Sequence, residues 1–442
     1  MNYAGAVAAL SAALHFGINP SLEGITRLTE ALGRPQDSFA SVQVTGTNGK
    51  SSTTRLIAAL LSAEGLRTAA YTSPHLESYA ERIEIDGRPV SESDFARAIQ
   101  AAVEAAGRVD GGASLFTEFE LLTAAALWLM REKAVDVACL EVGMGGRWDS
   151  TSVVGPAVAV ITGVGLDHTE RLGSTVEAIA ADKSHIIKPG SSVVLGPGTA
   201  GVADVFLARA AGFGLHPRFV AETGTPSPVG DELTVRFEVV GRPVRPSGRL
   251  VLDVRGVHTC YSRLGLIAPA YQASNVAVAI AAAECALGRA LHPDAVARSL
   301  AGMTFPGRFE LLTADPPVLI DGAHNPQAAG VLALAVRDAW PDVAHRPLCV
   351  LGVLKDKDAE GIVLELDGTV GGFVVTQPDS PRARAAAELA AVVERVTGVP
   401  PEVRPDLADA IAYARQRAGS AGVLITGSLY TAGDARGLLH RS

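Results

Sequence analysis

Apolar residues in this chain come in short closed runs, each followed by a turn and then by a stretch in which apolar positions recur every three to four residues. In the first half the runs are Ser41-Val42-Gln43-Val44, Thr68 to Tyr71, Val135 to Val142 and Val158 to Thr162. Their length and β-branched content predict strands, and the helical period lies in Thr53 to Ala63, Thr123 to Lys133 and Val176 to Asp182. Strands and helices alternating in this way predict an open, largely parallel sheet covered by helices. Residues 1 to about 40 read as helix and loop, with Asn19-Pro20-Ser21 breaking the chain before a helix over Leu22 to Leu32.

From Glu232 to Val257 the runs shorten to Leu233 to Phe237 and Leu250 to Val254, which predicts a small antiparallel addition. The alanine-rich segment Tyr271 to Leu287 predicts a helix. After Met303 a second alternating set begins. Its strands are expected at Val318 to Ile320, Leu348 to Leu351, Phe373 to Val375 and Val423 to Ile425, with helices starting near Pro326, Ala383 and Asp406. Two α/β domains are therefore expected, residues 1–300 and 301–442, with ligands between them at the C-terminal ends of strands.

Composition narrows the function. Hydrophobic residues make up 48% of the 442 positions but aromatic ones only 5%, as expected where Ala, Val and Leu pack helices on a parallel sheet. The formal charge of −9 argues against a surface that coats nucleic acid. Cys139, Cys260, Cys285 and Cys349 are scattered among apolar neighbours, with spacing that suits neither disulfides nor zinc, and read as buried thiols of a reducing compartment. There is no leader-like segment and no charge-free run of membrane-spanning length, so a cytoplasmic protein without nucleic-acid or membrane partners is expected.

The candidate chemistry starts at Val44-Thr45-Gly46-Thr47-Asn48-Gly49-Lys50-Ser51-Ser52. A strand that turns through glycines and delivers Lys and Ser to a helix start is a phosphate cradle: backbone N–H groups, an ammonium and a hydroxyl supply phosphate and Mg²⁺ ligands. Polar residues gather where the other strands stop, at Ser73, at Glu141 and at Asp167-His168. Glu141, directly after a buried run, reads either as a Mg²⁺ ligand or as a helix-capping carboxylate. His168 reads as a metal or phosphate contact or as a satisfied core histidine. Lys183, beside Asp182, reads by itself as a surface lysine, and His185 and Lys188 as solvated ends of the same helix. Asp321-Gly322-Ala323-His324-Asn325-Pro326 repeats the strand-turn-helix pattern and suits nucleotide or phosphoryl recognition, and Arg308 after Pro306-Gly307 would neutralise phosphate charge.

Taken together these segments resemble the folylpolyglutamate synthase/dihydrofolate synthase family of the Mur ligase superfamily. The resemblance runs in order through TGTNGKSS, TSPHL at 72–76, ERIEIDG at 81–87, EVGMGGRWDST at 141–151 and DHTERLGSTVEAIA at 167–180. It continues through YQASN at 271–275, FPGRFE at 305–310, DGAHNP at 321–326, LGVLKDKD at 351–358 and TGSLY at 426–430. It implies a P-loop ATPase domain of Mur-ligase type with a second, smaller Rossmann-like α/β domain. By this resemblance Thr47, Asn48, Gly49, Lys50, Ser51 and Ser52 hold ATP, joined by Asn275, Arg308, Asp321 and His324. Ser51, Ser73, Glu141, His168 and Lys183 match positions around Mg²⁺, Lys183 as a CO2-derived carbamate, although Ser184-His185 replaces the small residues expected after it. Lys50, Lys183, Arg308 and His324 are the implied catalytic set.

On the substrate side the resemblance implies Gly145 to Asp149 as part of the pterin site, where Trp148 replaces the usual aliphatic residue; Arg82 is a further expected substrate residue, and L-glutamate is expected near Ser428. Asp149 reads alternatively as a helix or turn cap before Ser150-Thr151, and Ser428 equally as a turn former. The implied reaction is ATP-dependent joining of L-glutamate to dihydropteroate or a reduced folate through an acyl phosphate, by a monomeric enzyme. A folylpolyglutamate synthase alone and a Mur-like ligase with another carboxylate remain the alternatives. About 44 residues precede the phosphate loop, where cell-wall ligases carry a further uridine-nucleotide domain, which favours the folate side. A nucleotide-switched assembly protein is the reading from another class.

Overall fold

A computed structural model describes residues 1–13, 20–109 and 116–440; Asn19, in the expected break, lies outside them. The helix expected after the break spans Glu23–Ala31. Among the described residues the strands form two sheets, of eleven and six strands. The first contains β1 (Ala40–Thr45), β2 (Thr68–Tyr71), β3 (Ile83–Ile85), β4 (Arg88–Pro89), β5 (Val137–Glu141), β6 (Val158–Gly163), β7 (Ser192–Gly198), β8 (Arg218–Glu222), β9 (Thr234–Gly241), β10 (Arg249–Arg255) and β11 (Cys260–Ile267). Their spatial order is β11-β10-β9-β8-β7-β6-β1-β5-β2-β3-β4.

Everything from β2 through β5, β1, β6, β7 and β8 to β9 runs parallel, while β3 and β4 turn back antiparallel at one edge. β1 lies at the centre because both of its neighbours are covered strands: Val42 and Val44 are wholly buried, and the register sets Val44 beside Glu141 and Thr45 beside Ile161. The C-terminal ends of β2, β1, β5 and β6 therefore share one edge, where the strand order reverses around β1, the place at which open α/β sheets bind ligands. The helix Lys50–Ala63 packs on β2 and β5 through Leu56, Ile57, Leu60 and Leu61. Each such side chain contributes about 1.5–3 kcal/mol on burial, so packing outweighs intrinsic propensity in fixing the helix.

The segment expected as a small antiparallel addition continues the first sheet, and it enters that sheet in parallel. β9 joins β8 in parallel, and β10 and β11 extend the same sheet. β7, β8 and β11 were not anticipated. Glycine and proline interrupt β7, and β11 shows no strict alternation because much of it is exposed.

The second sheet contains β12 (Glu310–Ala314), β13 (Pro317–Ile320), β14 (Leu348–Leu351), β15 (Phe373–Val375), β16 (Glu402–Val403) and β17 (Val423–Thr426), in the order β12-β13-β17-β14-β15-β16. β12 pairs antiparallel with β13 and the others are parallel. Helices Pro326–Ala339, Ala386–Thr397 and Leu407–Ala418 lie close to the expected starts, and Ala359–Leu366 is an additional one. Contacts divide the chain into two compact units. One comprises Met1–Glu238, Asp253–Leu264 and Ala273–Leu300, the other Val239–Leu252, Gly265–Gln272 and Ala301–Ser442. All four thiols are free, but Cys260 is exposed and Cys285 only partly buried, so the expectation of four buried cysteines holds for Cys139 and Cys349 alone. Among the described residues no helix is long and apolar enough to cross a membrane.

Candidate active site

The loop after β1 is built by its glycines. Gly49 has φ 83° and starts the helix Lys50–Ala63 without a side-chain cap, which leaves the first-turn N–H groups to an anion. A Cβ on Gly46 would lie 1.9 Å from Thr162 Oγ1, so only glycine lets β6 approach the loop this closely. From β6 the Thr162 hydroxyl donates to the Asn48 carbonyl at 2.6 Å. Beyond that strand, Gly165 N–H donates to Thr47 Oγ1 at 2.9 Å. Asn275 reaches the same loop: its Oδ1 is 2.7 Å from where a Gly49 Cβ would stand. Ser52 is buried one residue beyond Ser51.

Two ammonium groups converge on one carbonyl. Lys50 Nζ donates to Gly46 O at 3.1 Å and to Thr47 O at 3.2 Å, and Lys183 Nζ donates to Gly46 O at 2.9 Å. Lys183 is only 4% exposed, which overturns the surface-lysine reading. Burial first, and the Lys50 charge second, push its amine down to about 7. Ser184 and His185 do not crowd it. The Ser184 hydroxyl donates to Ala181 O and the His185 ring contacts the carbonyls of Ala181 and Asp182, so both bond back onto the preceding helix. Lys188 is not a solvated end, because its ammonium is held by the carbonyls of Ser152 and Val154.

Glu141, at the end of β5, is 1% exposed. Its Oε1 accepts from the Ser51 hydroxyl and its Oε2 from the Ser73 N–H, both at 3.0 Å. Ser51, Ser73 and Glu141 are thus brought together. His168 is exposed, with left-handed φ 52°, at the start of the one-turn helix Thr169–Leu172. Among the described residues no three His, Cys, Asp or Glu side chains form a metal cage. Mg²⁺ keeps several waters and takes one or two carboxylates together with substrate phosphates. A hydroxyl and a buried carboxylate in contact beside a phosphate loop fit such an ion.

Next to this centre lies the loop from Gly143 to Val154. Asp149 Oδ2 accepts from Met144 N–H, and its Oδ1 accepts from the N–H and hydroxyl of Thr151 at 3.0 and 2.6 Å. The buried Asp149 therefore shapes its own loop, as the capping alternative has it, and burial raises its carboxyl above the usual range. Trp148 is 43% exposed, with the Arg147 guanidinium 4.6 Å from its ring centroid. Arg82 Nε donates to His75 Nδ1 at 2.9 Å and its guanidinium lies 4.9 Å from the Tyr79 ring centroid. Burial, then the Arg82 charge, hold His75 down at about 4, so its imidazole is neutral at physiological pH.

In the second unit Asp321, buried at the end of β13, ties three segments together. It accepts from Phe309 N–H at 2.8 Å, Ala323 N–H at 2.8 Å and the Tyr271 hydroxyl at 3.2 Å. Burial raises its carboxyl, and Arg308 is the strongest opposing influence. Arg308 Nη1 donates to Gly307 O and His324 Nδ1 contacts Gly322 O, while Asn325 caps the helix Pro326–Ala339. Ser428 is 1% exposed and caps the helix Leu429–His440, accepting from Thr431 N–H at 3.0 Å. Its hydroxyl also pairs with Thr431 Oγ1 at 2.8 Å, so it holds that turn. Sequence reasoning missed Gln43, Thr45 and Thr162. Polar side chains inside otherwise apolar strands were the available signal, since a buried polar group needs a partner.

A P-loop in one α/β unit and a mostly parallel sheet in the second are what two family matches identify as the parts of an ATP-dependent ligase of Mur type. The Mur ligase middle-domain family matches residues 44–195, and the Mur ligase glutamate ligase domain family matches residues 307–429. The dihydrofolate synthase/folylpolyglutamate synthase of Mycobacterium tuberculosis is 37% identical over 96% of this chain and 91% of that protein. The Bacillus subtilis protein of the same name is 32% identical over 96% of each. Among solved structures, a Mycobacterium tuberculosis folylpolyglutamate synthase complexed with ADP and AMPPCP aligns with TM-score 0.88 and 35% identity over 99% of both chains. Escherichia coli FolC in complex with DHPP and ADP aligns with TM-score 0.87 and 28% identity, over 100% of this chain and 99% of that one. The chain belongs to the dihydrofolate synthase/folylpolyglutamate synthase family.

Proposed function

We propose that the protein is a bifunctional dihydrofolate synthase and folylpolyglutamate synthase, which uses ATP to join L-glutamate to dihydropteroate or to a reduced folate. The observation that carries this reading is the fastening of two loops to one strand. The phosphate loop continues β1, while Gln43 and Thr45 of β1 bind the Gly143–Val154 loop that bears Trp148. The similarity to family members of both activities supports it.

A substrate carboxylate oxygen attacks the γ-phosphorus, the bond to ADP breaks, and an acyl phosphate results. The glutamate amine, in its neutral form, then attacks the acyl carbon, phosphate leaves and the nitrogen loses a proton. Lys50 and the N–H groups beyond Gly49 bind the phosphates, with Thr47, Asn48, Ser51 and Ser52 shaping the loop and Asn275 beside it. Arg308 and His324 of the second unit offset charge on the transferred phosphoryl group, and Asp321 holds their segments. Mg²⁺, when bound by Ser51, Glu141, His168 and the Ser73 segment, supplies positive charge to the phosphates. Lys183 is a carbamate in the active form: its free amine adds to CO2, forms the N–C bond and releases a proton. Arg82 and Trp148 form the pterin side and Asp149 keeps that loop in shape. We take the enzyme to be cytoplasmic and monomeric.

The test is an ATP-consumption and product-mass assay with dihydropteroate, tetrahydrofolate and tetrahydrofolate monoglutamate, each with L-glutamate. Glutamylated products of all three are expected. Products from the folates alone would reject the dihydrofolate synthase half, and no product from any would reject the substrate class.

A further inference from the structure

The helix Val176–Lys183 ends against the Gly143–Val154 loop through contacts that the assigned roles leave unused. Asp182 Oδ1 accepts from Gly146 N–H at 2.8 Å and from Arg147 N–H at 3.3 Å. A Cβ on Gly145 would lie 2.1 Å from that oxygen, and one on Gly146 2.8 Å from the Lys183 carbonyl. The loop's glycines therefore let its backbone come down onto the helix end. Gly145 also has φ 68°, in the left-handed region that favours glycine.

The same loop is gripped on its other side by β1. Thr45 Oγ1 donates to Gly145 O at 2.7 Å, and Gln43 Nε2 donates to the hydroxyls of Thr151 and Ser152 at 3.0 Å. At its far end Lys188 holds the carbonyls of Ser152 and Val154. Residues 182 to 188 thus clamp the loop at two points, while Lys183 between them reaches Gly46 of the phosphate loop.

We propose that Asp182 is a positioning residue: by holding the N–H groups of Gly146 and Arg147 it sets the substrate loop in register with the phosphate loop, and so determines the affinity for the pterin-bearing carboxylate without touching it. The proposal rests on the ligase reading above. Carboxylate-to-backbone bonds are charge-assisted and directional, so they fix the Gly145-Gly146 segment, which has no side chains of its own to pack. The acceptor oxygen, rather than the charge beside Lys183, is the working part.

The experiment compares Asp182→Ala with Asp182→Asn, which keeps an acceptor oxygen at the same reach. Asp182→Ala should lower kcat/KM for the pterin substrate by roughly 100-fold, the scale of a misplaced reactant, mainly through KM. The ATP requirement should stay constant, and Asp182→Asn should recover most of the loss. Hydrogen exchange of the Gly146 and Arg147 amides should accelerate in Asp182→Ala and remain slow in Asp182→Asn. Equal losses in both variants, with a displaced pH profile, would assign Asp182 to the charge of Lys183 and overturn the proposal. So would an unchanged Asp182→Ala, or ATP and pterin requirements rising together with lowered thermal stability. If the wild type turns over no pterin, the ligase reading fails separately, and amide exchange still decides whether Asp182 anchors the loop.

Discussion

Lys183 illustrates how one side chain takes its chemistry from where the fold puts it. An ordinary lysine is all but about one part in a thousand protonated at neutral pH and cannot add to CO2. With its amine at about 7, Lys183 is half free there. Labelled bicarbonate should therefore give a carbamate carbon signal in NMR, growing at fixed dissolved CO2 as pH rises through about 7 and absent from Lys183→Arg. A native protein that turns over without that signal would remove the carbamate from the mechanism. Stability has the same sign: between about 7 and 10.5 the unfolded chain keeps a proton that the folded amine lacks, so this group stabilises the fold as pH rises through that window and the gain is lost as pH falls. None of this was legible in Ala181-Asp182-Lys183-Ser184-His185, whose polar neighbours describe a surface. By contrast the phosphate loop was legible because its chemistry is local: glycines, Lys50 and Ser51 lie within a few residues of one another.

At the scale of elements, the legible strands are those buried on both faces, such as β1, β5, β13 and β17, whose apolar runs have no polar interruption beyond one or two residues. Edge strands such as β11 and β12 are only partly covered, so no two-residue period marks them in the sequence. The helix starts were partly hidden too. Ser428 follows Thr426-Gly427 as a turn residue does, and only the fold shows it capping Leu429–His440. Ser428→Ala should lower unfolding stability by about 1 kcal/mol, the usual worth of an N-cap, measured by urea titration. It should leave the glutamate and ATP requirements alike; a selective rise in the glutamate requirement would return Ser428 to the substrate. The Glu141 site behaves differently, because its three residues come from three places, Glu141 from β5, Ser51 from the helix start after the phosphate loop and Ser73 from the turn after β2. Sequence order listed those partners, but the pairing of β5 between β1 and β2 brings them together.

For the molecule as a whole, thiol chemistry separates interior from surface. Of the four cysteines, Cys139 and Cys349 are buried, with their thiols pushed far up by burial, and Cys285 is partly buried and raised to about 11. A thiol reagent at pH 8 should therefore modify Cys260 alone quickly in the native protein and all four thiols in denaturant, and peptide mass mapping identifies the site. Rapid reaction at Cys139 or Cys349 would mean that the sheet opens locally, since both lie in strands with complete cover. The sequence did lay out the alternation of strands and helices in both units. It did not show that the chain between them runs on along the first sheet, because strand neighbours are fixed by pairing across long separations, not by any local pattern.

The shared carbonyl of Gly46 has a consequence for timing. Lys50 and Lys183 donate to one oxygen, and the Lys50 charge helps to push the Lys183 amine down. In the proposed reaction a nucleotide brings negative charge to this loop, and that charge would favour the proton on Lys183. On the proposed carbamate at Lys183, capture of CO2 would then belong to the interval between turnovers, and labelled CO2 should enter the resting protein faster than the protein already holding ATP.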